Sequence, residues 1–216
     1  MWCIVVAGGS GRRFGGAKQF EWIGDERVVD RSVRVAASVC DGVVLVLPEE
    51  AMASMIVDHA TVTVNGGATR SESVRRGLAN VPPGSIVLVH DAARPLASPE
   101  LFERVVSAVR DGAAAAVPVV AVADTIRDVD GGVVDRDRLR AVQTPQGFDG
   151  AALRSAHAGD PEGTDDAGLV EAAGGSVVLV EGESDNLKIT DPHDLAIARL
   201  LARLADGGDE PTDSVP

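Results

Sequence analysis

The sequence is poor in several patterns whose scarcity excludes whole classes of protein. It contains no apolar run near the roughly 18 residues of a membrane-spanning helix, and its short N-terminal apolar run lacks the basic flank of a secretion signal. The formal net charge is −13, which argues against a nucleic-acid surface because that surface needs a basic face to displace counterions from phosphates. We therefore predict a cytoplasmic protein that binds neither membranes nor nucleic acid.

Cysteine and lysine are both rare. Cys3 and Cys40 lie far apart with no partner motif, so the sequence predicts reduced thiols rather than a disulfide or a metal site. Only two lysines, Lys18 and Lys188, stand against 18 arginines, so lysine is not the residue that keeps this chain soluble. Each lysine falls in a segment with other signs of ligand binding, which makes both of them candidate site residues.

The usual signatures of covalent and metal-assisted catalysis are missing as well. No Ser–His–Asp order, HExxH, CxxC or carboxylate pair at helical spacing occurs around the histidines. Attack by a phosphate monoester on a nucleotide phosphate needs none of these, because the attacking group, with a second pKa of about 6, is already mostly a dianion. Such catalysis depends on positioning and on cations placed where charge accumulates at phosphorus.

A glycine-rich loop with three cations follows the first apolar run. It reads Gly8-Gly9-Ser10-Gly11-Arg12-Arg13-Phe14-Gly15-Gly16-Ala17-Lys18. Glycines let backbone N–H groups approach an anion, and Arg12, Arg13 and Lys18 can balance its charge, so we predict a phosphate site. The loop lacks the Gly-Lys-Ser/Thr end of a Walker A motif, and Phe14 stands where a dinucleotide fingerprint needs its third glycine. A P-loop kinase and an NAD enzyme are disfavoured, while a solvated surface turn stays open as the alternative.

Apolar, β-branched runs alternate with helical patterns along the chain. The predicted strands are Cys3–Ala7, Gly42–Leu47, Thr61–Val64, Ser85–His90, Ala114–Val122 and Ser176–Val180. The predicted helices are Val28–Val39, Pro48–Val57, Arg70–Asn80, Pro99–Arg110, Gly150–His157, Asp165–Ala173 and Asp191–Leu204. This alternation predicts one α/β domain over residues 1–205, with a mostly parallel twisted sheet flanked by helices and ligands at the carboxyl ends of its strands. We expect the acidic segment 206–216 to be a disordered tail.

One region breaks the alternation of strands and helices. Residues 125–136 alternate polar with apolar side chains around Gly131-Gly132, which predicts a β-hairpin. A two-stranded hairpin is marginal on its own in water. We therefore expect a protruding arm, within about residues 124–143, that leans on a second subunit; a hairpin folded back onto its own sheet is the alternative.

Charged and hydroxyl side chains follow other predicted strands. Gly66-Gly67 precedes Arg70 and Ser73 at a helix start, where close backbone approach beside an arginine again indicates a ligand. Asp91 ends a strand and is a candidate for contact with Mg²⁺ or with a backbone amide, a simple turn residue being the alternative. Lys188 lies in a short extended run between apolar neighbours, which predicts that its ammonium group binds an anion.

Five segments, in this order, resemble the 2-C-methyl-D-erythritol 4-phosphate cytidylyltransferase family. They are Gly8–Arg13 with Lys18-Gln19, Gly66-Gly67 with Arg70 and Ser73, Val87–Pro95, Thr144-Pro145-Gln146, and Asp185–Thr190. The resemblance extends over about residues 2–205. It implies a Rossmann-like nucleotidyltransferase that joins CTP to methylerythritol phosphate with Mg²⁺ or another divalent cation, releasing pyrophosphate, in isoprenoid precursor synthesis by the non-mevalonate pathway.

The resemblance also implies roles for individual residues. Arg13 and Lys18 would stabilise the transition state at the α-phosphorus of CTP, while Arg136 and Lys188 would hold the acceptor phosphate. The candidate nucleotide-binding residues are Ala7, Gly8, Gly9, Gly11, Arg12, Gly67, Ser73, Asp91 and Ala92. The candidate acceptor-binding residues are Arg94, Thr125, Thr144 and Thr164. In the family the hairpin arm crosses to the partner subunit, so the resemblance implies a homodimer in which Arg136 acts in trans.

Three alternatives stay open at this point. Ribitol 5-phosphate cytidylyltransferase resembles the chain in most of the same motifs, and discrimination by one hydroxyl or methyl group depends on a few contacts. A catalytically silent nucleotide-binding regulator would have no use for Arg136 and Lys188 facing an acceptor. A sugar-1-phosphate uridylyltransferase shares the glycine loop, but it would not account for the hairpin or for the run Asp185–Thr190.

Overall fold

The computed structural model describes residues 1–9 and 14–205, and an eight-stranded sheet runs through the middle of this part of the chain. The strands of this sheet and of two small hairpins are β1 (Trp2–Val6), β2 (Trp22–Ile23), β3 (Glu26–Arg27), β4 (Gly42–Leu47), β5 (Val62–Asn65), β6 (Ile86–Asp91), β7 (Ala115–Ala121), β8 (Ile126–Arg127), β9 (Val133–Val134), β10 (Arg140–Val142), β11 (Gln146–Asp149) and β12 (Val177–Glu181). The helices are α1 (Val28–Val39), α2 (Glu49–Met52), α3 (Arg70–Leu78), α4 (Pro99–Arg110), α5 (Gly150–Ala156), α6 (Asp166–Ala172) and α7 (Pro192–Ala205). Two 3-10 turns cover Lys18–Phe20 and Arg136–Arg138. The predicted tail, 206–216, lies outside the described residues.

The central sheet confirms the mostly parallel architecture. Strands β5, β4, β1 and β6 are parallel neighbours in that order, and β12 runs parallel to β7 near the other edge. Strand β11 lies between β6 and β7 and is antiparallel to both, and β10 pairs antiparallel with the end of β7. Strands β10 and β11 do not follow from the sequence pattern. Strand β11 places the polar Gln146 and the side-chain-free Gly147 in a buried position, which hides the apolar pattern of a strand.

A bulge separates β10 from β11. Val142 pairs with Val119 and Gly147 pairs with Ala116, so the four residues 143–146 lie opposite two residues of β7. Within the bulge, Gln143 and Thr144 are buried. Their polar groups reach the end of β6 and the segment that carries Lys188, so the bulge joins two parts of the chain that later prove to border the site.

Helices cover both faces of the sheet. Helices α1 and α4 pack on one face, and α3, α5 and α6 pack on the other. Along β1 the side chains alternate between these layers, with Cys3 and Val5 in the first and Ile4 in the second, as the pleat of a doubly covered strand requires. A third cluster joins α7 to Ile23 and Ile189. It anchors the segment that precedes α7.

Most helix boundaries follow their local signals. Helices α1 and α4 match the prediction residue for residue, and α4 begins with Ser98 accepting a hydrogen bond from Leu101 N (3.1 Å) and with Pro99 in the first turn. The predicted helix Pro48–Val57 is wrong, because α2 ends at Met52. Within α2 only Ala51 is buried, so this short helix has no apolar face whose packing would support further turns.

Strands β8 and β9 form the predicted hairpin. Gly131 and Gly132 provide its turn with φ values of 122° and 86°, a region that favours glycine. Within the described chain the hairpin pairs with no strand of the central sheet, and its contact with a second subunit stays a prediction. Val129 at its tip is 99% exposed and Val133 is 63% exposed.

None of the helices formed by residues 1–9 and 14–205 has the length and hydropathy needed to cross a bilayer.

Candidate active site

A cavity of about 440 Å³ opens where β1 and β6 end. Its wall is built from Gly8, Gly9 and Lys18 of the glycine loop, the start of α3, the end of β6 and the segment before α7. The predicted site residues that line it are Ala7, Gly8, Gly9, Lys18, Gly67, Ser73, Asp91, Ala92 and Lys188. The two lysines of the chain, which are far apart in sequence, therefore share one cavity.

Parallel pairing of β1 with β6 explains why these residues meet. Val6 pairs with Asp91, so the two strands end at the same level on the same edge of the sheet. Ala92 N donates to Val6 O (3.0 Å), and Ala7 N donates to Val46 O (2.8 Å). These bonds continue the hydrogen-bond ladder by one residue beyond β1 and β6.

A tight turn brings the N-terminus of α3 to the cavity. Ser73 Oγ accepts a hydrogen bond from Gly67 N (3.0 Å) and donates to Thr69 O (2.9 Å), while Thr69 Oγ1 caps the helix by accepting from Glu72 N (3.1 Å). A Cβ atom on Gly67 would lie 2.3 Å from Cγ of Glu72, so only glycine fits this turn. The partial positive charge of a helix N-terminus is thus presented to whatever anion occupies the cavity.

Asp91 is the charged centre of the cavity wall. Its Oδ2 lies 2.5 Å from Lys188 Nζ, and its Oδ1 lies 3.3 Å from Arg70 Nε. Burial alone would raise the pKa of Asp91, but the positive charges of Arg70 and Lys188 outweigh it and hold that pKa well below its usual range. Asp91 is therefore ionised at neutral pH.

A buried histidine and a threonine lie beneath Asp91. Thr144 Oγ1 accepts a hydrogen bond from Asp91 N (3.0 Å) and lies 3.2 Å from His90 Nδ1, while His90 Nε2 lies 3.1 Å from Arg94 O. The carbonyl of Arg94 can only accept, so we assign the ring proton to Nε2 and the threonine proton to the bond with Nδ1. Burial lowers the pKa of His90 to about 4 against the opposing effect of the Asp91 charge, so the ring is neutral.

Arg94, a predicted acceptor-binding residue, contacts backbone carbonyls. Its Nη1 donates to Asn186 O (2.7 Å) and its Nη2 donates to Val142 O (3.1 Å). Asn186 Nδ2 in turn donates to Thr144 O (3.0 Å). Arg94 and Asn186 thereby attach the Lys188 segment to the bulge between β10 and β11. Among the predicted acceptor-binding residues, Thr144 is 4% exposed and also belongs to this supporting layer.

Three further predicted site residues of the described chain do not line the cavity. Arg136 is exposed beside the hairpin, where its Nη1 donates to Ala123 O. Thr125 and Thr164 are exposed, and neither lines the cavity. Gly11, Arg12 and Arg13 lie outside the described residues. The structure therefore brings together Lys18 and Lys188 of the predicted catalytic cations, and the roles of all four stay predictions.

Arg70 and Asp166 are the residues that the sequence analysis missed. The sequence motif that contains Arg70 indicates a ligand without giving Arg70 a role, and Asp166 falls within the predicted helix Asp165–Ala173 with no role of its own. In the structure Arg70 lines the cavity and its Nη1 lies 2.6 Å from Asp166 Oδ2, a carboxylate that is fully buried. An acidic residue in the first turn of a helix is common for reasons of the helix dipole, so Asp166 carried no signal of its partner.

The carboxyl edge of the sheet thus directs a helix N-terminus, glycine backbone and ammonium groups at one cavity, which is the arrangement of an α/β protein that binds a phosphorylated nucleotide. Comparison with known sequences is more specific. The chain belongs to the IspD family, described as 2-C-methyl-D-erythritol 4-phosphate cytidylyltransferase, which matches residues 1–204.

Individual relatives agree with the family. The chain is 45% identical over 211 residues to the 2-C-methyl-D-erythritol 4-phosphate cytidylyltransferase of Rhodococcus opacus, covering 92% of this chain and 93% of that protein. It is 44% identical to a bifunctional IspD/IspF enzyme of Anaeromyxobacter dehalogenans, covering 92% of this chain but 56% of that protein. The crystal structure of the Thermus thermophilus cytidylyltransferase matches with a TM-score of 0.82 and 40% identity, covering 93% of this chain and 98% of the other.

Proposed function

We propose that this protein transfers a cytidylyl group from CTP to 2-C-methyl-D-erythritol 4-phosphate, giving 4-diphosphocytidyl-2-C-methyl-D-erythritol and pyrophosphate. Membership of the cytidylyltransferase family supports the proposal. The observation that carries it at the level of chemistry is the shared cavity, because Lys18 and Lys188 both line one space of about 440 Å³. Two phosphorylated reactants that must meet require such an arrangement of cations.

The nucleotide would lie along the glycine loop and the start of α3. Ala7, Gly8 and Gly9 offer backbone without bulky side chains, and Gly67 with Ser73 forms the tight turn opposite them. Backbone N–H groups and a helix N-terminus suit the triphosphate of CTP. Gly11, Arg12 and Arg13 belong to the same loop in sequence, and we propose that they complete the phosphate site.

The reaction itself needs charge stabilisation rather than a base. An oxygen of the acceptor phosphate attacks the α-phosphorus, the bond from that phosphorus to the bridging oxygen breaks, and pyrophosphate leaves with the electron pair. The dianionic acceptor carries no proton that must be removed first. We assign Lys18 and Arg13 to the charge that builds on the α-phosphoryl oxygens, and Lys188 with Arg136 to the acceptor phosphate.

A magnesium ion fits this site only as a partner of the phosphates. Asp91 is the one carboxylate that lines the cavity among residues 1–9 and 14–205, and both of its oxygens already contact cations. That part of the chain also holds no group of three or more His, Cys, Asp or Glu side chains suited to a metal. Mg²⁺ commonly takes one or two protein carboxylates and fills its shell with phosphate and water, so Asp91 is the residue that would approach it. The ion would supply neutralisation of the charge on the leaving pyrophosphate.

We further propose that the protein is cytoplasmic, because CTP is a cytosolic metabolite. We also propose that its active form is a homodimer. The exposed hairpin supports a dimer, because Val129 and Val133 present apolar surface that nothing else in the described chain covers. Arg136 follows this hairpin and lies outside the cavity of its own chain. An arm that reaches a neighbouring subunit would place Arg136 against the acceptor phosphate there.

Pyrophosphate release measures the proposed reaction directly. With CTP and Mg²⁺, we expect turnover with 2-C-methyl-D-erythritol 4-phosphate. We expect kcat/KM with ribitol 5-phosphate to be at least about tenfold lower, because the loss of one contact between acceptor and pocket lowers kcat/KM by about that factor. UTP in place of CTP should also lower kcat/KM. Preference for ribitol 5-phosphate would transfer the assignment to the related cytidylyltransferase, and CTP binding without turnover on either acceptor would favour a regulator.

A further inference from the structure

Four charged side chains form a continuous chain of ion pairs beside the cavity, which we call the relay. Its members are Asp166, Arg70, Asp91 and Lys188. Asp166 Oδ2 lies 2.6 Å from Arg70 Nη1, Arg70 Nε lies 3.3 Å from Asp91 Oδ1, and Asp91 Oδ2 lies 2.5 Å from Lys188 Nζ. The relay connects the first turns of α6 and α3 with the end of β6 and with the segment before α7.

The relay runs from the protein interior to the cavity. The side chain of Asp166 is 1% exposed, that of Arg70 is 24% exposed and that of Lys188 is 40% exposed. The second oxygen of Asp166 contacts His157 Nε2 at 2.9 Å, so both oxygens of this buried carboxylate have partners. A carboxylate without solvent is costly unless it is paired, and here its pairing fixes the guanidinium that faces the cavity.

Arg70 uses two different edges of its guanidinium group. The Nε edge contacts Asp91 and the Nη1 end contacts Asp166, so the planar group is held between two carboxylates. A lysine ammonium is a single point charge and cannot reproduce this geometry. Because Arg70 occupies Oδ1 of Asp91, it leaves Oδ2 for Lys188 and thereby sets the orientation of the carboxylate beside that ammonium group.

We propose that Asp166 and Arg70 are positioning residues for the acceptor step of the reaction. Asp166 orients Arg70, Arg70 orients Asp91, and Asp91 holds Lys188 at the point where the acceptor phosphate arrives. The inference depends on the proposed function, in which Lys188 faces the acceptor. It predicts that a change at the buried end of the relay lowers kcat/KM for the acceptor more than it raises KM for CTP.

Steady-state kinetics of matched variants test this inference. Asp166→Asn keeps the side-chain volume and removes the charge, and we expect kcat/KM for the acceptor to fall at least about tenfold while KM for CTP stays within about threefold. Asp160→Asn is the control, because it makes the same chemical change in an exposed carboxylate of the loop before α6 that pairs with Arg75 of α3, 3.1 Å away, and neither residue lines the cavity. This control should behave like the wild type.

Two further variants separate positioning from simple charge. Arg70→Lys keeps the charge, and we expect it to stay within about threefold of Arg70→Met in acceptor kcat/KM, because neither side chain bridges both carboxylates. The double variant Arg70→Met/Asp166→Asn should match Arg70→Met within about twofold, because Asp166 acts only through Arg70. It also removes both charges of the buried pair, so it provides the measurement if Asp166→Asn alone folds poorly.

Three results would overturn the inference. They are wild-type acceptor kinetics in Asp166→Asn, recovery of wild-type kinetics by Arg70→Lys, and single-variant effects that multiply in the double variant. A wild type that releases no pyrophosphate from CTP with methylerythritol phosphate would instead overturn the proposed function. The two failures are distinguished because the first three results require an active wild type, whereas this one is its inactivity.

Discussion

The cavity wall and the hairpin arm hold their charged side chains in opposite ways. In the wall, Asp91 contacts two cations and its backbone is fixed by Thr144, with His90 fully buried beneath. In the arm, Arg136 contacts one backbone carbonyl and Val129 is 99% exposed. The wall therefore holds its charged groups by several contacts within the described chain, whereas the arm holds its arginine by one backbone contact.

This difference indicates how the work of the site is divided. Residues that need fixed geometry around phosphorus are held by strands β1 and β6, whose register places them within one cavity. The position of a side chain on an exposed arm depends on the protein surface against which the arm packs. We therefore expect variants in the wall to change turnover or stability, and variants in the arm to change acceptor binding and to depend on the partner subunit.

The largest effect is expected at the wall lysines. Lys18→Ala should lower kcat by about 10²- to 10³-fold, the cost of losing one donor that stabilises transition-state charge. KM for CTP should change much less, because backbone groups of the glycine loop and α3 also contribute to nucleotide binding. Steady-state pyrophosphate release over a range of CTP concentrations separates the two constants.

A matched control for this variant is Arg110→Ala, which removes an exposed cation at the end of α4, far in the chain from the cavity wall. It should leave kcat unchanged. Turnover of Lys18→Ala within about twofold of the wild type would remove Lys18 from the transition state.

The second effect is a pH dependence of stability that arises beneath the cavity. His90 is neutral when folded, with a pKa lowered by burial to about 4, whereas an unfolded histidine titrates near about 6.5. Between these two values the unfolded chain binds one more proton than the folded chain, so stability falls as pH falls, by a total of about 3 kcal/mol from this group. Above pH 6.5 or so this contribution no longer varies with pH.

Denaturant unfolding of the wild type and His90→Gln at several pH values tests this expectation. The stability difference between the two proteins should shift in favour of the variant as pH falls from about 6.5 to about 4, and should be constant above that range. Asp91 does not confound the comparison, because its lowered pKa keeps it ionised throughout. Parallel pH profiles of the two proteins would mean that the folded state protonates His90 as readily as the unfolded state does.

The sequence predicted the parts of the fold that local pattern determines. Six strands were expected from apolar runs, and β4 matches its predicted bounds. The hairpin was expected from its Gly131-Gly132 turn. Strand β11 was missed because its place in the sheet depends on partners on both sides, Val89 of β6 and Ala116 of β7, rather than on its own residues.

The candidate site shows the same division. The glycine loop and both lysines were recognised because glycine and rare cations are local signals. The pair of Arg70 with Asp166 spans 96 residues and could not be read from either segment alone. The acceptor-binding role of Thr144 stays a prediction; in the structure its hydroxyl accepts a hydrogen bond from Asp91 N, a contact that sequence motifs do not distinguish from contact with a ligand.

The smallest effect is expected at the arm. Arg136→Ala removes a cation that we place against the acceptor phosphate, and KM for methylerythritol phosphate should rise about tenfold, the value of a charged hydrogen bond of about 1.5 kcal/mol. Neither kcat nor KM for CTP should change as strongly, because the wall residues are intact.

Mixed dimers decide whether the arm acts on its own chain or on its partner. Arg136→Ala and Lys18→Ala subunits, denatured together and refolded, should give mixed dimers in which one site has both Lys18 from its own chain and Arg136 from the other. That site should regain wild-type KM and about half of the wild-type activity per dimer, because the second site carries both defects. If Arg136 acts in the site of its own chain, every site in the mixture keeps one defect and no activity is recovered. The absence of recovery would therefore show that Arg136 acts in its own subunit and not in the partner.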